Sequence, residues 1–84
     1  MPNKEVTVKK TSGILNKDAA QIVQRAMRYE SEISFEQKFK IINAKSIMGV
    51  ISLGLKSGDK VVVSAKGDDA EAAINDIAEI LENE

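Results

Sequence analysis

Hydrophobic and polar residues alternate along three short segments of the chain, and this period of two predicts β-strands. The alternation is clearest in KVVVSAK at 60–66, where Val61 and Val63 point to the same side. The other predicted strands are KEVTVKK at 4–10, SEISFEQ at 31–37 and the short partner FKIIN at 39–43. Because the alternating strands are apolar on one side only, we expect an antiparallel sheet with one buried and one solvated face.

Helical spacing of apolar residues predicts three helices between and after these strands. The first is expected from about Lys17 to Arg28, with Asn16 as its N-cap and Asp18 in its first turn, where a carboxylate favours the positive end of the helix. The second is a short helix within SIMGVISLGL at 46–55, capped by Ser46, and the third occupies 67–84, capped by Asp68 or Asp69.

The predicted element order is β-α-β-β-α-β-α, which defines an α+β open-faced β-sandwich. Four strands form one antiparallel sheet, and three helices cover one of its faces. We expect residues 1–84 to make one domain. The connection at residues 37–39 lacks the Asn-Gly pair of a tight primed turn, so the pattern predicts a hairpin without defining its turn type.

Composition narrows the possible functions. The chain has 12 basic and 13 acidic residues, and the basic ones are scattered, which argues against direct nucleic-acid binding. It contains no histidine and no cysteine, so the commonest general base, thiolate metal sites and disulfides are excluded. No apolar run is long enough to cross a membrane and no signal-peptide pattern is present, which predicts a cytoplasmic protein.

Few residue patterns in the chain are typical of catalytic sites, and the sequence predicts neither an enzyme nor a bound cofactor. The serines have no histidine to activate them, and the glycines follow no phosphate-binding pattern. The pair Asp68-Asp69 resembles a fragment of a metal site, but acidic residues are also typical of a helix start. We therefore expect no metal site.

The segment KSIMGVI at 45–51 is the best candidate for a surface that binds a partner. A helix of two turns cannot bury all sides, so some of Ile47, Met48 and Ile51 should be exposed beside the Ser46 cap. A phosphoryl group on Ser46 would add about −1.5 to −2 charges at a helix start, which suits a binding switch. The alternative interpretation is a core helix with an ordinary serine cap.

These residues resemble those of the HPr family, the histidine-containing phosphocarriers of the bacterial sugar phosphotransferase system. NAKSIMGVISLGL at 43–55 is similar to the family's regulatory serine segment, and GDDAEAAI at 67–74 also fits. Within the family, the chain is most similar to the histidine-lacking Crh (catabolite repression HPr-like) proteins of bacilli. The resemblance covers nearly the whole chain and implies the same β-α-β-β-α-β-α fold.

A second family motif is degenerate here. Where phosphocarriers have Gly-Ile-His-Ala-Arg-Pro-Ala, residues 13–19 read GILNKDA. Leu15 replaces the phosphorylated histidine and has no nucleophile. Lys17 keeps the charge of the arginine but loses its planar fork, and Asp18 replaces the proline with a negative charge.

The resemblance implies a regulatory role without catalysis. Ser46 would be phosphorylated by the ATP-dependent HPr kinase/phosphorylase, and the product would act with a catabolite control transcription regulator in carbon catabolite repression. The implied partner contacts are Ile47, Met48 and Ile51, together with Lys17 and Lys45. The resemblance also allows a homodimer formed by exchange of the first strand.

Two other functions stay open at this point. The chain could be an interaction module or decoy that binds metabolic enzymes or phosphotransferase components without phosphorylation. It could also be a residual phosphocarrier that uses another nucleophile, which the missing histidine disfavours.

Overall fold

The computed structural model describes residues 2–83 and contains four strands and three helices in the predicted order. The elements are β1 (Asn3–Thr7), α1 (Asn16–Ala26), β2 (Glu32–Gln37), β3 (Lys40–Asn43), α2 (Ile47–Ser52), β4 (Lys60–Lys66) and α3 (Ala70–Glu82). The predicted α+β open-faced sandwich is thereby confirmed.

The four strands form one antiparallel sheet in the order β1-β4-β2-β3. In the register of the sheet, Val61 of β4 lies opposite Val6 of β1, and Val63 lies opposite Phe35 of β2. These side chains are buried on the same face, as the period of two predicts. The sheet therefore faces the helices with an apolar surface of valine side chains and Phe35.

The helices bury this surface. α3 packs on β4 and β1, while α1 contacts both α2 and α3, and α2 contacts β3. Phe35 from the sheet, Ile22 from α1 and Ile77 from α3 are fully buried in the resulting core. The opposite face of the sheet carries exposed carboxylates such as Glu36, so it remains solvated.

Element boundaries differ from the predicted ones at several ends. β1 stops at Thr7 rather than residue 10, because the backbone of Val8 bonds the turn at 57–59, with Val8 N donating to Asp59 O at 2.8 Å. Helix α1 ends at Ala26 rather than Arg28. Helix α2 (Ile47–Ser52) lies within the predicted segment 46–55, and α3 (Ala70–Glu82) lies within 67–84, although residue 84 is outside the described residues.

The β2–β3 connection is a tight two-residue turn. Gln37 pairs with Lys40, and the intervening Lys38 and Phe39 have φ angles of 50° and 68°. Positive φ at both central residues is typical of a type I′ turn, which the right-handed twist of the strands favours. The strand geometry thus imposes a primed turn even though neither residue is asparagine or glycine, and the Phe39 ring is left fully exposed.

Candidate functional site

The entrance to α1 is fixed by a close backbone contact. Gly13 has a φ of +73°, and a Cβ atom at this position would lie 2.7 Å from the carbonyl oxygen of Leu55. The next residue uses that same carbonyl, since Ile14 N donates to Leu55 O at 2.9 Å. Glycine is therefore required here, and the segment that leads to Leu15 is held against the chain after α2.

The predicted N-cap of α1 was wrong by one residue. The helix begins at Asn16, so Leu15 occupies the cap position, and its side chain has no atom that could accept a hydrogen bond. Asp18, in the first turn, compensates, because its Oδ2 accepts from the backbone N of Leu15 at 2.9 Å. This is the half of a capping box in which the third helical residue reaches back to the cap.

The Asp18 carboxylate also has a cationic neighbour. Its Oδ1 lies 3.8 Å from Nζ of Lys10, and only 12% of the Asp18 side chain and 18% of the Lys10 side chain are exposed. Lys17, by contrast, is exposed. The Asp18 carboxylate, predicted in the first turn of the helix, is thus bound within the start of α1, and Lys17 remains exposed.

Leu15 itself lies at the surface, where 46% of the residue is exposed. An alkyl side chain offers neither a nucleophile nor a proton acceptor, so no phosphoryl group can be attached at this position. The start of α1 therefore carries an exposed apolar residue at its cap position.

Ser46 caps α2 as predicted. Its Oγ accepts from the backbone N of Gly49 at 3.1 Å, and its carbonyl oxygen accepts from Val50 N at 3.0 Å. The residue has extended backbone angles and is half-buried. The hydroxyl therefore sits at the first turn of a surface helix, held by one short-range hydrogen bond.

Two apolar side chains follow Ser46 at the surface. Ile47 is 41% exposed and Met48 is 71% exposed, and we call these two residues the α2 patch. Val50 is buried in the core, and Ile51 is half-buried against it. The prediction that some apolar residues of this short helix stay exposed is confirmed for Ile47 and Met48, whereas Ile51 is largely used for packing.

Lys45 has a structural contact that the sequence did not reveal. Its Nζ donates to the carbonyl oxygen of Tyr29 at 2.7 Å, just beyond the end of α1, and its backbone N donates to Asn43 Oδ1 at 2.8 Å. A cation near the C-terminal end of a helix is favoured by the helix dipole. Of the two lysines predicted as partner contacts, only Lys17 therefore projects from the surface unengaged by such a bond.

The C-terminal half of α1 is tied to α3 through Asp76. Arg25 Nη1 donates to Asp76 Oδ1 at 2.6 Å, and the Tyr29 hydroxyl donates to Asp76 Oδ2 at 2.7 Å. This hydrogen bond, with partial burial, raises the pKa of the Tyr29 phenol above its usual value. The charge cluster is a structural link, and no local sequence pattern predicts a pairing across 47 residues.

Asp69 holds the cap position of α3 but does not use its side chain to cap it. The carboxylate instead accepts from the Ser31 hydroxyl, from Ser31 N at 3.0 Å and from Glu30 N at 2.9 Å. These donors, with the Ser31 hydroxyl foremost, hold the pKa of Asp69 below its usual value. The predicted cap position is confirmed at Asp69, but its carboxylate accepts hydrogen bonds from Ser31 and Glu30 instead of capping the helix.

Residues 2–83 contain no cluster of three or more acidic side chains placed to hold a metal ion. None of the helices described for this chain is both long and apolar enough to span a membrane.

The fold and the two helix starts together define a class: a small α+β protein with a phosphocarrier-like sandwich and a capping serine beside exposed apolar residues. Comparison with known proteins agrees. The family model described as "PTS HPr component phosphorylation site" matches residues 2–83. The chain belongs to the HPr family.

Individual relatives come from both branches of this family. The HPr-like protein Crh of Halalkalibacterium halodurans is 39% identical over 84 residues, which covers all of both chains. The crystal structure of HPr-C-His from Thermoanaerobacter tengcongensis is 40% identical, with a TM-score of 0.92 over 98% of this chain and 92% of that one. The chain is therefore about equally identical to a Crh protein and to an HPr protein. Individual residue positions, rather than overall identity, must distinguish the two kinds of relative.

A third relative shows a different assembly. The crystal structure of selenomethionyl Crh from Bacillus subtilis, which is a domain-swapped, intertwined dimer, is 35% identical. Its TM-score is 0.79 over 98% of this chain and 94% of that chain. Dimers formed by swapping thus occur among relatives of this chain.

Proposed function

We propose that the chain is a non-catalytic regulatory member of the HPr family that is switched by phosphorylation of Ser46. The ATP-dependent HPr kinase/phosphorylase transfers the terminal phosphoryl group of ATP to Ser46 Oγ, the hydroxyl proton is released and ADP leaves. The phosphorylated form then binds a catabolite control transcription regulator as a co-effector in carbon catabolite repression. The chain carries out no reaction of its own and needs no cofactor.

The contrast between positions 15 and 46 carries this proposal. Leu15 provides no group for histidine-type phosphoryl transfer, whereas Ser46 keeps a hydroxyl at a helix start next to the exposed α2 patch. A phosphoryl group would add about −1.5 to −2 charges beside this apolar surface. A partner that reads charge and apolar contact together could therefore distinguish the two forms.

Lys17 supports the docking of such a partner. Its side chain is exposed, and its acidic neighbour Asp18 is directed to Leu15 N and Lys10 instead. The Lys17 ammonium can therefore take part in a contact near the phosphoserine. Lys45 and Ile51, which the resemblance also implies as contacts, are partly engaged within the fold and would contribute less.

The first experiment tests the modification. The protein is incubated with the kinase and ATP, and its mass is measured. We expect a gain of one phosphoryl group in the wild type and in Ser52→Ala, but none in Ser46→Ala. Ser52 is the matched control because it lies on the same helix, is exposed, and its Oγ donates to Gly49 O at 2.6 Å. No mass gain in the wild type, or an unchanged gain in Ser46→Ala, would contradict the proposal.

The second experiment tests the docking surface. Binding of the phosphorylated protein to the regulator is measured for Met48→Ala and for Met27→Ala, a methionine of similar exposure at the end of α1 (64% against 71%). We expect Met48→Ala to weaken binding about tenfold, the effect of removing a contact of about 1.4 kcal/mol, and Met27→Ala to leave it unchanged. Equal losses for both variants would speak against the α2 patch.

A phosphorylation-independent role is the alternative, since the α2 patch is exposed without any modification. In that case the chain acts as an interaction module or decoy for metabolic enzymes or phosphotransferase components. Binding of a partner by Ser46→Ala as tightly as by phosphorylated wild type, with loss in Met48→Ala, would favour this alternative.

A further inference from the structure

The N-terminal end of α1 already contains an anion from its own chain. The Asp18 carboxylate accepts from Leu15 N at 2.9 Å and faces Lys10 Nζ at 3.8 Å. Asp18 is buried, and Lys10 is half-buried. The backbone donor at the cap position and the nearest cation are therefore both directed at this carboxylate rather than at solvent.

An incoming phosphoryl group would approach the same helix start. Phosphate groups bind at helix N-termini because unpaired N–H groups and the helix dipole attract negative charge. Here one of these groups, the N–H of Leu15, is already used, and the carboxylate that it binds carries a negative charge. A phosphoryl group of about −1.5 to −2 charges would meet repulsion where an open helix start would attract it.

We propose that Asp18 is an internal anion that closes this end of α1 to phosphoryl groups. Two independent features then prevent phosphoryl transfer at position 15: Leu15 has no nucleophile, and the negative charge of Asp18 repels a phosphoryl group. Restoring a histidine alone would not restore a phosphoryl acceptor. This inference concerns a different helix from the proposed function, and its failure would leave the assignment of Ser46 untouched.

The geometry separates two roles of Asp18 that a test must distinguish. One is occupancy, because an oxygen atom takes the hydrogen of Leu15 N. The other is charge, because a full carboxylate repels an anion. Asp18→Asn keeps an oxygen acceptor and removes the charge, whereas Asp18→Ala removes both. The asparagine variant can also keep the hydrogen bond that supports the start of α1, so we expect it to be the more stable of the two.

The first measurement uses inorganic phosphate as the probe. The backbone amide signal of Leu15 is followed by NMR during a phosphate titration, with sodium chloride at matched ionic strength as the control. We expect no saturable shift in the wild type and a saturable shift in Asp18→Ala. A saturable shift of equal size in the wild type would overturn the proposal, and so would its absence in folded Asp18→Ala.

The second measurement restores the acceptor. Because the chain has no histidine, Leu15→His introduces a single imidazole whose signals are unambiguous. Phosphoramidate serves as the donor: its P–N bond breaks, the phosphoryl group bonds to an imidazole nitrogen, ammonia leaves and the ring releases its proton. The rate of labelling is compared for Leu15→His, Leu15→His/Asp18→Asn and Leu15→His/Asp18→Ala, after circular dichroism has confirmed that each is folded.

We expect labelling of both double variants to be at least tenfold faster than that of Leu15→His. If all three variants are labelled at the same rate, Asp18 does not close the site and the proposal fails. If Leu15→His/Asp18→Asn is as slow as Leu15→His, occupancy rather than charge sets the barrier, and the charge-based proposal is overturned.

Discussion

Helices α1 and α2 begin in different ways, although both starts lie within the residues that the HPr family model matches. The start of α1 is held from several directions, by the close fit of Gly13 to Leu55 and by the buried carboxylate of Asp18. The start of α2 is capped by one hydroxyl, that of Ser46, which bonds Gly49 N at 3.1 Å. The first cap is internal and charged, and the second is neutral and near the surface.

This difference shows how the chemistry of a cap decides what else a helix start can do. A carboxylate that reaches back from within the helix uses the terminal donor and repels anions, so it stabilises the helix and closes it to phosphate. A serine hydroxyl also satisfies a donor, but it remains a group to which phosphate can be attached. Both groups cap a helix. The Ser46 cap at α2 is compatible with phosphorylation, whereas the Asp18 cap at α1 is not.

The largest effect on stability is expected from Gly13→Ala. A left-handed alanine costs about 1–2 kcal/mol, and the added Cβ would press on Leu55 O at 2.7 Å, which requires a backbone shift of similar cost. We expect a loss of about 3 kcal/mol in the free energy of unfolding, measured by urea denaturation.

Gly54→Ala is the control for that experiment. Gly54 also has a positive φ, of +57°, but a Cβ there would have nothing within 4 Å. It should lose only about 1 kcal/mol. Equal losses in the two variants would show that the contact with Leu55 does not hold the α1 start.

Asp18→Ala should have the next largest effect. It removes an ionised acceptor from Leu15 N and leaves the half-buried Lys10 without its carboxylate, for an expected loss of about 2 kcal/mol in the same measurement. Asp18→Asn keeps an acceptor and should lose less than half as much. If Asp18→Ala is no less stable than wild type, the α1 start does not depend on its internal cap.

Ser46→Ala should have a smaller effect, because the cap of α2 is one neutral hydrogen bond. We expect a loss of about 1 kcal/mol, and Ser46→Thr should retain most of the stability since threonine also caps helices. A loss for Ser46→Ala as large as that for Asp18→Ala would remove the distinction between the two helix starts.

The smallest effect is a pH dependence at the start of α3, the third helix. Its carboxylate Asp69 has a pKa below the ordinary 3.8 because the Ser31 hydroxyl and the Glu30 amide donate to it. A depressed pKa stabilises the fold fully above the unfolded value, and this contribution is lost as the pH falls through the lower folded value. Denaturation midpoints of wild type should therefore fall below about pH 4.

Asp69→Asn should be less stable at neutral pH and should show a flatter dependence in the acidic range. Asp68→Asn is the matched control, because Asp68 is adjacent and exposed. If Asp69→Asn retains the full acidic slope of wild type, the contact with Ser31 does not contribute to it.

Local sequence patterns predicted the helices and strands well where interactions between residues close in the sequence determine the structure. The alternation around Val61 and Val63 placed β4 at its observed bounds. Ser46 was recognised as a cap because the backbone N–H that donates to its Oγ lies only three residues away. The exposure of Met48 followed from the small number of core positions that a two-turn helix can supply. These features depend on neighbours in the sequence.

The features that the sequence did not predict depend on contacts between residues distant in the sequence or on backbone geometry imposed by neighbouring elements. Asp69 bonds Ser31, 38 residues away, and Lys45 reaches the carbonyl of Tyr29, so neither role has a local signature. The primed turn at Phe39 is imposed by strand twist on residues that do not favour it. Asn16 was a reasonable cap by residue type, but the carboxylate of Asp18 fixed the start one residue earlier.

The Tyr29 contacts give the molecule an intrinsic optical probe. The sequence has one tyrosine and no tryptophan, so all of its near-ultraviolet tyrosine signal comes from a ring whose hydroxyl donates to Asp76 on α3. The carbonyl of the same residue accepts from Lys45, the neighbour of Ser46. Fluorescence and absorbance of the unlabelled protein can therefore report on the junction of α1, α3 and the segment before α2 while Ser46 is being modified.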